Sequence, residues 1–252
     1  MSWVEHAIWW HIYPLGLCGA PIREPDTAPG PRLRRLLGWL DYAVELGCSG
    51  LLLGPIFASQ SHGYDSLDLF RIDPRLGDEA DFAELVSQCR ERGLRILLDG
   101  VFSHVGSEHP DVRHALTQGP GSPAGKLFDI DWQHPGGPRP QVFEGHSSLV
   151  RLNHSSQEAV DLVVRVMDHW LDRGIDGWRL DAAYSVPPGF WSRVVERVRP
   201  RHPDAWLLGE VLHGDYCAFV AESGIDSVTQ YELWKAIWSS INDRNLFELD
   251  HA

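Results

Sequence analysis

The sequence predicts an α/β protein of parallel strands, arranged as a (β/α) barrel. Three observations point that way. Short apolar runs alternate with segments of helical period along most of the chain. The runs are too apolar to leave either face in water, as expected of parallel strands covered by helices on both sides. That pattern alone allows an open doubly wound sheet or a barrel, and no G-x-G-x-x-G follows the first strand, which weakens the dinucleotide-binding version of the open sheet. A barrel also demands that functional residues collect at the C-terminal ends of its strands.

The elements follow in order. Ala7 to Tyr13 reads as the first strand, and Leu33 to Leu46 as a helix closed by Gly47. Gly50 to Phe57 is the second strand, Asp81 to Arg92 a helix closed by Gly93, and Leu94 to Phe102 the third strand. From Val105 to Ser156 the chain is rich in Gly and Pro with little periodicity, and is expected to form an inserted loop subdomain. Gln157 to Arg173 is an amphipathic helix, Asp176 to Leu180 the fourth strand, Phe190 to Val198 a helix and Ala205 to Val211 the fifth strand. Asp215 to Glu222 is a short helix, Ser227 to Gln230 a sixth strand, and Tyr231 to Leu249 a last helix. The expected organisation is therefore barrel (1–104), insert (105–156) and barrel again (157–252).

Composition narrows the partners. The 252 residues, 43% hydrophobic and 23% charged, are those of an ordinary folded protein with one large domain or two small ones. Basic residues number 22 against 35 acidic, a formal charge of −13. Such a surface repels phosphate backbones and anionic lipids, so neither nucleic acid nor membrane is an expected partner. Cys18, Cys48, Cys89 and Cys217 are widely spaced with no C-x-x-C pair, and read as reduced thiols rather than a zinc cluster. The start MSWVEHAIWW lacks the layout of a signal peptide, and no apolar run reaches the roughly 18 residues of a membrane span. A cytoplasmic location is expected.

The fourth strand holds the densest chemistry, Gly174-Ile-Asp-Gly-Trp-Arg-Leu-Asp181. Strand alternation puts Arg179 and Asp181 on one side, about 6.6 Å apart along the chain. A guanidinium beside a carboxylate favours the ionised form, which a carboxylate nucleophile needs; a structural ion pair is the alternative. The fifth strand ends at Glu210, where a half-desolvated carboxyl is expected to hold a proton near neutral pH, unless it caps the next helix. One ionised and one protonated carboxyl on neighbouring strands is the pair that retaining glycosidases hold about 5–5.5 Å apart. The third strand runs into Asp99 and His104. Asp99 is placed to clamp Arg179 in a bidentate pair, and His104 to donate to a sugar hydroxyl or to be a satisfied loop residue.

The segments DGVFSH, GIDGWRLDAA and LLGEV resemble the first three signature motifs of the α-amylase family, glycoside hydrolase family 13, in the same order on the third, fourth and fifth strands. The stretch His62-Gly-Tyr-Asp-Ser-Leu-Asp68, followed by RIDPRLG, is similar to the family's loop after its second strand. Arg151-Leu-Asn-His154 resembles its extra motif at the end of the inserted domain. The resemblance covers nearly the whole chain. It implies a TIM-type barrel with a small inserted subdomain, and retaining hydrolysis of α-glucosidic bonds in α-glucans or oligosaccharides. It implies Asp181 as nucleophile, Glu210 as general acid/base and Arg179 as the group that keeps the nucleophile ionised. Asp99 and His104 become supporting sugar contacts and Tyr64 the aromatic platform under the sugar, with His62 and Asp65 as further substrate contacts. Some of the eleven tryptophans could add flat faces for sugars to pack on.

Two departures qualify the resemblance. Many members bind calcium between barrel and insert, through an Asn before the motif's His, an Asp before the extra motif's Leu-Asn, and a carbonyl from a Lys-His pair after the nucleophile. Here those positions read Ser103, Arg151 and Ala182-Ala-Tyr-Ser185. Calcium takes about six to eight oxygens and is repelled by a guanidinium, so neither calcium nor any other cofactor is expected. The family's fourth motif, a His-Asp pair ending the seventh strand, has no match after Val211, and the Asp-His of the closing LFELDHA is in the wrong order. With six of eight units counted, the barrel is expected to be incomplete, with two open edges that call for a missing C-terminal segment or self-association. An α-transglycosylase, or a catalytically inactive fragment or carbohydrate-binding protein on the same scaffold, remain alternatives.

Overall fold

The computed structural model describes residues 3–22 and 28–251. Six strands form one sheet: β1 (Trp9–Ile12), β2 (Gly50–Leu53), β3 (Arg95–Gly100), β4 (Gly177–Leu180), β5 (Trp206–Gly209) and β6 (Ser227–Val228). All neighbours are parallel, and their order in the sheet is their order in the chain. A doubly wound sheet reverses direction at a switch point, and this one does not. The fold is therefore the barrel type, with six units among the described residues and β1 and β6 at the two ends of the sheet. The intervening helices are α1 (Leu40–Glu45), α2 (Glu79–Glu91), α3 (Gln157–Leu171), α4 (Pro188–Val198) and α5 (Tyr216–Ser223), with α6 (Tyr231–Asp243) after β6.

Helix starts follow from capping. Asp78 and Asp81 exchange side-chain and backbone hydrogen bonds in a capping box before α2, and the Ser156 hydroxyl accepts from Ala159 N–H to start α3. Helix α3 buries Ala159, Val160, Val163, Val166, Met167 and Trp170, an apolar stripe at helical spacing. Trp178 on β4 is wholly buried, its ring centroid 5.6 Å from that of Phe102 and 6.1 Å from that of Phe57. Gly177 is required where β4 meets β5, because a Cβ there would lie 2.0 Å from the Trp206 carbonyl oxygen.

Several elements differ from expectation. The helix expected from Leu33 starts as a 3₁₀ segment over Arg32–Trp39 and becomes α-helical only at Leu40. Leu33 and Leu36 are buried three residues apart, a spacing that suits the 3₁₀ turn, and Gly38 weakens the α-helical alternative. Strand β2 stops at Leu53, ahead of Gly54-Pro55, and Phe57–Ser59 pairs instead with Ser66–Ile72. The last helix breaks at Arg244, which is left-handed at φ 52°, and resumes over Phe247–His251. The insert is more ordered than its composition suggested. It holds helices Pro110–Gln118 and Pro123–Leu127 and a three-stranded antiparallel sheet of His104–Gly106, His146–Arg151 and Val142–Phe143.

Two apolar faces meet solvent. Trp39 and Tyr42 pack on Trp10 of β1, and at the other end α6 exposes Trp234, Ile237, Trp238 and Ile241, one stripe at helical spacing. Among the described residues no helix is long and apolar enough to cross a membrane. The four cysteines are free thiols.

Candidate active site

Strand register assembles the site. Parallel pairing sets Asp99 directly beside Arg179. Asp181 and Glu210 each follow the last residue of their strand, tied by Asp181 N–H to the Gly100 carbonyl (3.0 Å) and Glu210 N–H to the Leu180 carbonyl (2.9 Å). Three acids and one arginine thus meet at the C-terminal ends of β3, β4 and β5, where a barrel carries its chemistry.

One guanidinium serves all three carboxyls. Arg179 Nη1 donates to Asp99 Oδ1 and Oδ2, both at 2.7 Å, and to Asp181 Oδ1 at 2.8 Å. Its Nη2 lies 2.6 Å from Glu210 Oε1. The side chains of Asp181 and Glu210 are 11% and 14% exposed, so solvent screens them little.

That sharing alters the expected electrostatics. Arg179 was expected to hold Asp181 ionised. Instead, burial pushes the Asp181 carboxyl up to about 7, with the charge of Asp99 adding to it and Arg179 only partly opposing. Asp99, fully enclosed, is pushed up to about 6 by burial against the pull of Arg179. A single cation cannot balance three desolvated carboxylates, so the cluster retains a proton into the neutral range.

Glu210 also sits differently from expectation. Its surroundings are donors rather than apolar surface: Oε2 accepts from Ala182 N–H at 2.9 Å, and Oε1 accepts from Arg179 and from the Tyr231 hydroxyl at 3.0 Å. It does not cap the following helix, because Asp215 accepts from Ala218 N–H to start α5.

The remaining expected residues divide into two groups. Tyr64 joins the cluster, its hydroxyl donating to Asp99 Oδ2 at 3.3 Å, and burial raises its phenol so that it stays protonated. His62 lies at the rim, its side chain 44% exposed, accepting from Tyr64 N–H at 3.3 Å. His104 and Asp65 stand behind this layer. His104 is buried, and burial lowers its imidazole to about 4, so it is neutral. Its Nε2 donates to the Tyr64 carbonyl at 3.0 Å, which leaves Nδ1 to accept from the Ser103 hydroxyl at 2.7 Å. With both nitrogens engaged, His104 holds the backbone of Tyr64 and has no donor left for a sugar hydroxyl. Asp65 accepts from Ser61 Oγ at 2.5 Å and Gly63 N–H at 3.2 Å, and so shapes the loop that carries Tyr64.

Sequence reasoning missed four neighbours. His11 on β1 feels the charges of Arg179 and Glu210, though burial is the larger cause lowering its imidazole. Phe143, in the insert, stacks 4.4 Å from the His104 ring. The Tyr184 hydroxyl donates to Glu144 Oε1 at 2.7 Å, tying the insert to the segment after Asp181. Tyr231 reaches Glu210 from the start of α6. The strand-end rule applied to β6 would have flagged Tyr231, and a polar residue in the apolar run of β1 would have flagged His11.

The Ser103 oxygens at the family's calcium position already have partners. The Ser103 hydroxyl bonds His104, and the Ser103 carbonyl accepts from Leu152 N–H at 3.1 Å. The Arg151 guanidinium lies 3.9 Å from Asp129. A cation there would face the Arg151 guanidinium and lack the Asn and Asp side-chain oxygens of the family's site, so these residues do not fit calcium.

Comparison with known proteins adds to this geometry. Residues 33–250 match the family model for the alpha amylase catalytic domain. A cyclomaltodextrinase of Geobacillus thermopakistaniensis (strain MAS1) is 33% identical over 251 residues, an alignment covering 92% of this chain and 42% of that protein. The intracellular maltogenic amylase of Bacillus subtilis (strain 168) is 33% identical over 228 residues, covering 84% of this chain and 39% of that protein. Among solved structures, the cyclic alpha-maltosyl-(1→6)-maltose hydrolase from Arthrobacter globiformis, in complex with cyclic alpha-maltosyl-(1→6)-maltose, superposes with a TM-score of 0.80 at 27% identity, covering 94% of this chain and 57% of that one. The chain spans less than two thirds of the length of each of these proteins.

Proposed function

Because the chain belongs to the α-amylase catalytic-domain family, we propose that it carries the reaction centre of a retaining glycoside hydrolase acting on α-glucosidic bonds of α-linked oligosaccharides. One observation carries the reading: a single guanidinium grips both Asp181 and Glu210, on adjoining strands, at the mouth of the barrel. In this reading Asp181 attacks the anomeric carbon while Glu210 gives a proton to the leaving oxygen. A glycosyl ester on Asp181 results, and Glu210 then takes a proton from the incoming water as that ester is hydrolysed. Tyr64, held by His104 and Asp99, lies under the sugar. The names of the relatives, a cyclomaltodextrinase and a maltogenic amylase, support small α-glucans as the substrate class. A cytoplasmic site of action is part of the proposal, supported by the relative named as intracellular.

Following hydrolysis of an aryl α-maltoside by proton NMR tests the mechanism. The α-anomer of the released sugar should appear first. The β-anomer appearing first would overturn the retaining assignment, and absence of turnover would favour the carbohydrate-binding alternative.

The proposal also holds that no calcium joins insert to barrel here. Treatment with a chelator should leave the melting temperature within about 1 °C of the untreated protein, since a metal bound only to the folded state would stabilise it. A drop of several degrees, together with one calcium per chain by elemental analysis, would refute this.

A further inference from the structure

We propose that Tyr231 is a positioning residue for Glu210, its hydroxyl holding Oε1 in place as the acid/base gains and loses its proton. The inference rests on the reading of Glu210 as acid/base and adds a residue that none of the motifs contains.

Glu210 has three fixed partners. The Ala182 N–H and the Arg179 guanidinium can only donate, so both favour an oxygen that accepts. The Tyr231 hydroxyl, 3.0 Å from Oε1, is the third, and a hydroxyl can donate or accept. It donates to the carboxylate form and can turn to receive the proton of the acid form while the site is empty. During glycoside cleavage the Glu210 proton passes to the glycosidic oxygen as the C–O bond breaks and its electron pair goes to that oxygen. Tyr231 then donates to the resulting carboxylate and keeps its own proton throughout. Burial, followed by the charge of Glu210, raises its phenol above the ordinary value, in keeping with a tyrosine that stays protonated.

The chain around Tyr231 is fixed to the chain around Glu210. Thr229 N–H donates to the Gly209 carbonyl at 3.0 Å. The Thr229 hydroxyl accepts from Val211 N–H at 2.9 Å and donates to the Val211 carbonyl at 2.8 Å. These bonds join residues 209–211 to 229, two positions before Tyr231, which opens α6. The backbone leading into Tyr231 is therefore tied to the strand end that carries Glu210. Among the described residues, the other titratable or charged groups acting on this region are Asp99 on β3, Arg179 and Asp181 at the end of β4, Tyr184 after it and His11 on β1.

The test follows the Glu210 carboxyl by NMR in the full chain carrying carbon-13-labelled glutamate, with Glu210→Gln used to assign the signal. In Tyr231→Phe a donor to the charged form is lost, so the titration midpoint should move upward. An unmoved or lowered midpoint in a variant that melts like the parent would overturn the proposal. A second readout compares aryl α-maltosides with good and poor leaving groups. Tyr231→Phe should slow the poor leaving group at least about tenfold more, because only that substrate leans on the proton donor. Equal losses for both would count against the proposal. Absence of turnover in the parent would argue against the glycosidase reading alone, since the titration decides the Tyr231 contact independently.

Discussion

Arg179→Met is expected to destabilise the fold by about 3–5 kcal/mol at pH 8, and by much less at pH 5. Among the described residues Arg179 is the one cation in contact with Asp99, Asp181 and Glu210, and its side chain is only 8% exposed. Methionine fills similar space but leaves desolvated carboxylates without a counter-ion. At pH 8 the folded chain must either keep those charges unpaired or bind protons from a dilute supply. At pH 5 protons are a thousandfold more abundant, and the neutral acids need no partner. Urea unfolding at the two pH values separates these cases. A loss of similar size at both would mean that Arg179 acts through packing, and a loss below about 1 kcal/mol at pH 8 would mean that the cluster is solvated.

Asp181→Asn is expected to reduce turnover by at least about four orders of magnitude, in line with removal of other catalytic nucleophiles, while making the protein more stable above pH 7. The sign follows from the raised carboxyl. Because its folded value lies above the ordinary value near 4, Asp181 supports the fold fully below that range. That support is lost as pH rises through about 7, where the folded state must give up the proton. Asparagine cannot ionise, and its amide oxygen can still accept from Arg179. Parent and variant should be nearly equal in stability at pH 4 and diverge toward pH 8. A variant less stable than the parent at pH 8 would contradict the charge-crowding account, and retained turnover would remove Asp181 from the nucleophile role. The two substitutions act in opposite directions on one cluster, so together they test whether three acids compete for one arginine.

Much of the framework was legible in the residues. The period of the apolar runs located the six strands, and the acids following β4 and β5 stood out as charges at the ends of apolar segments. Other features were not. The 3₁₀ segment before α1 has the same leucine pattern as an α-helix over so short a stretch. The strands of the insert are two to six residues long and carry little alternation to detect. His104 looked like a sugar donor because its motif contains a histidine, yet its ring nitrogens are taken by Ser103 and by the backbone of Tyr64, 40 residues earlier.

What the sequence determined alone is what depends on near neighbours: which segments become strands and helices, and that Arg179 and Asp181 share a side of one strand. Periodicity and strand alternation are local, so a run of residues carries them whole. The tertiary structure decided how charge is divided. Asp99 meets Arg179 across 80 positions of chain, and Tyr231 meets Glu210 across 21. Whether a carboxyl holds its proton depends on how many such partners crowd it and how little water remains, and folding brings both about at once.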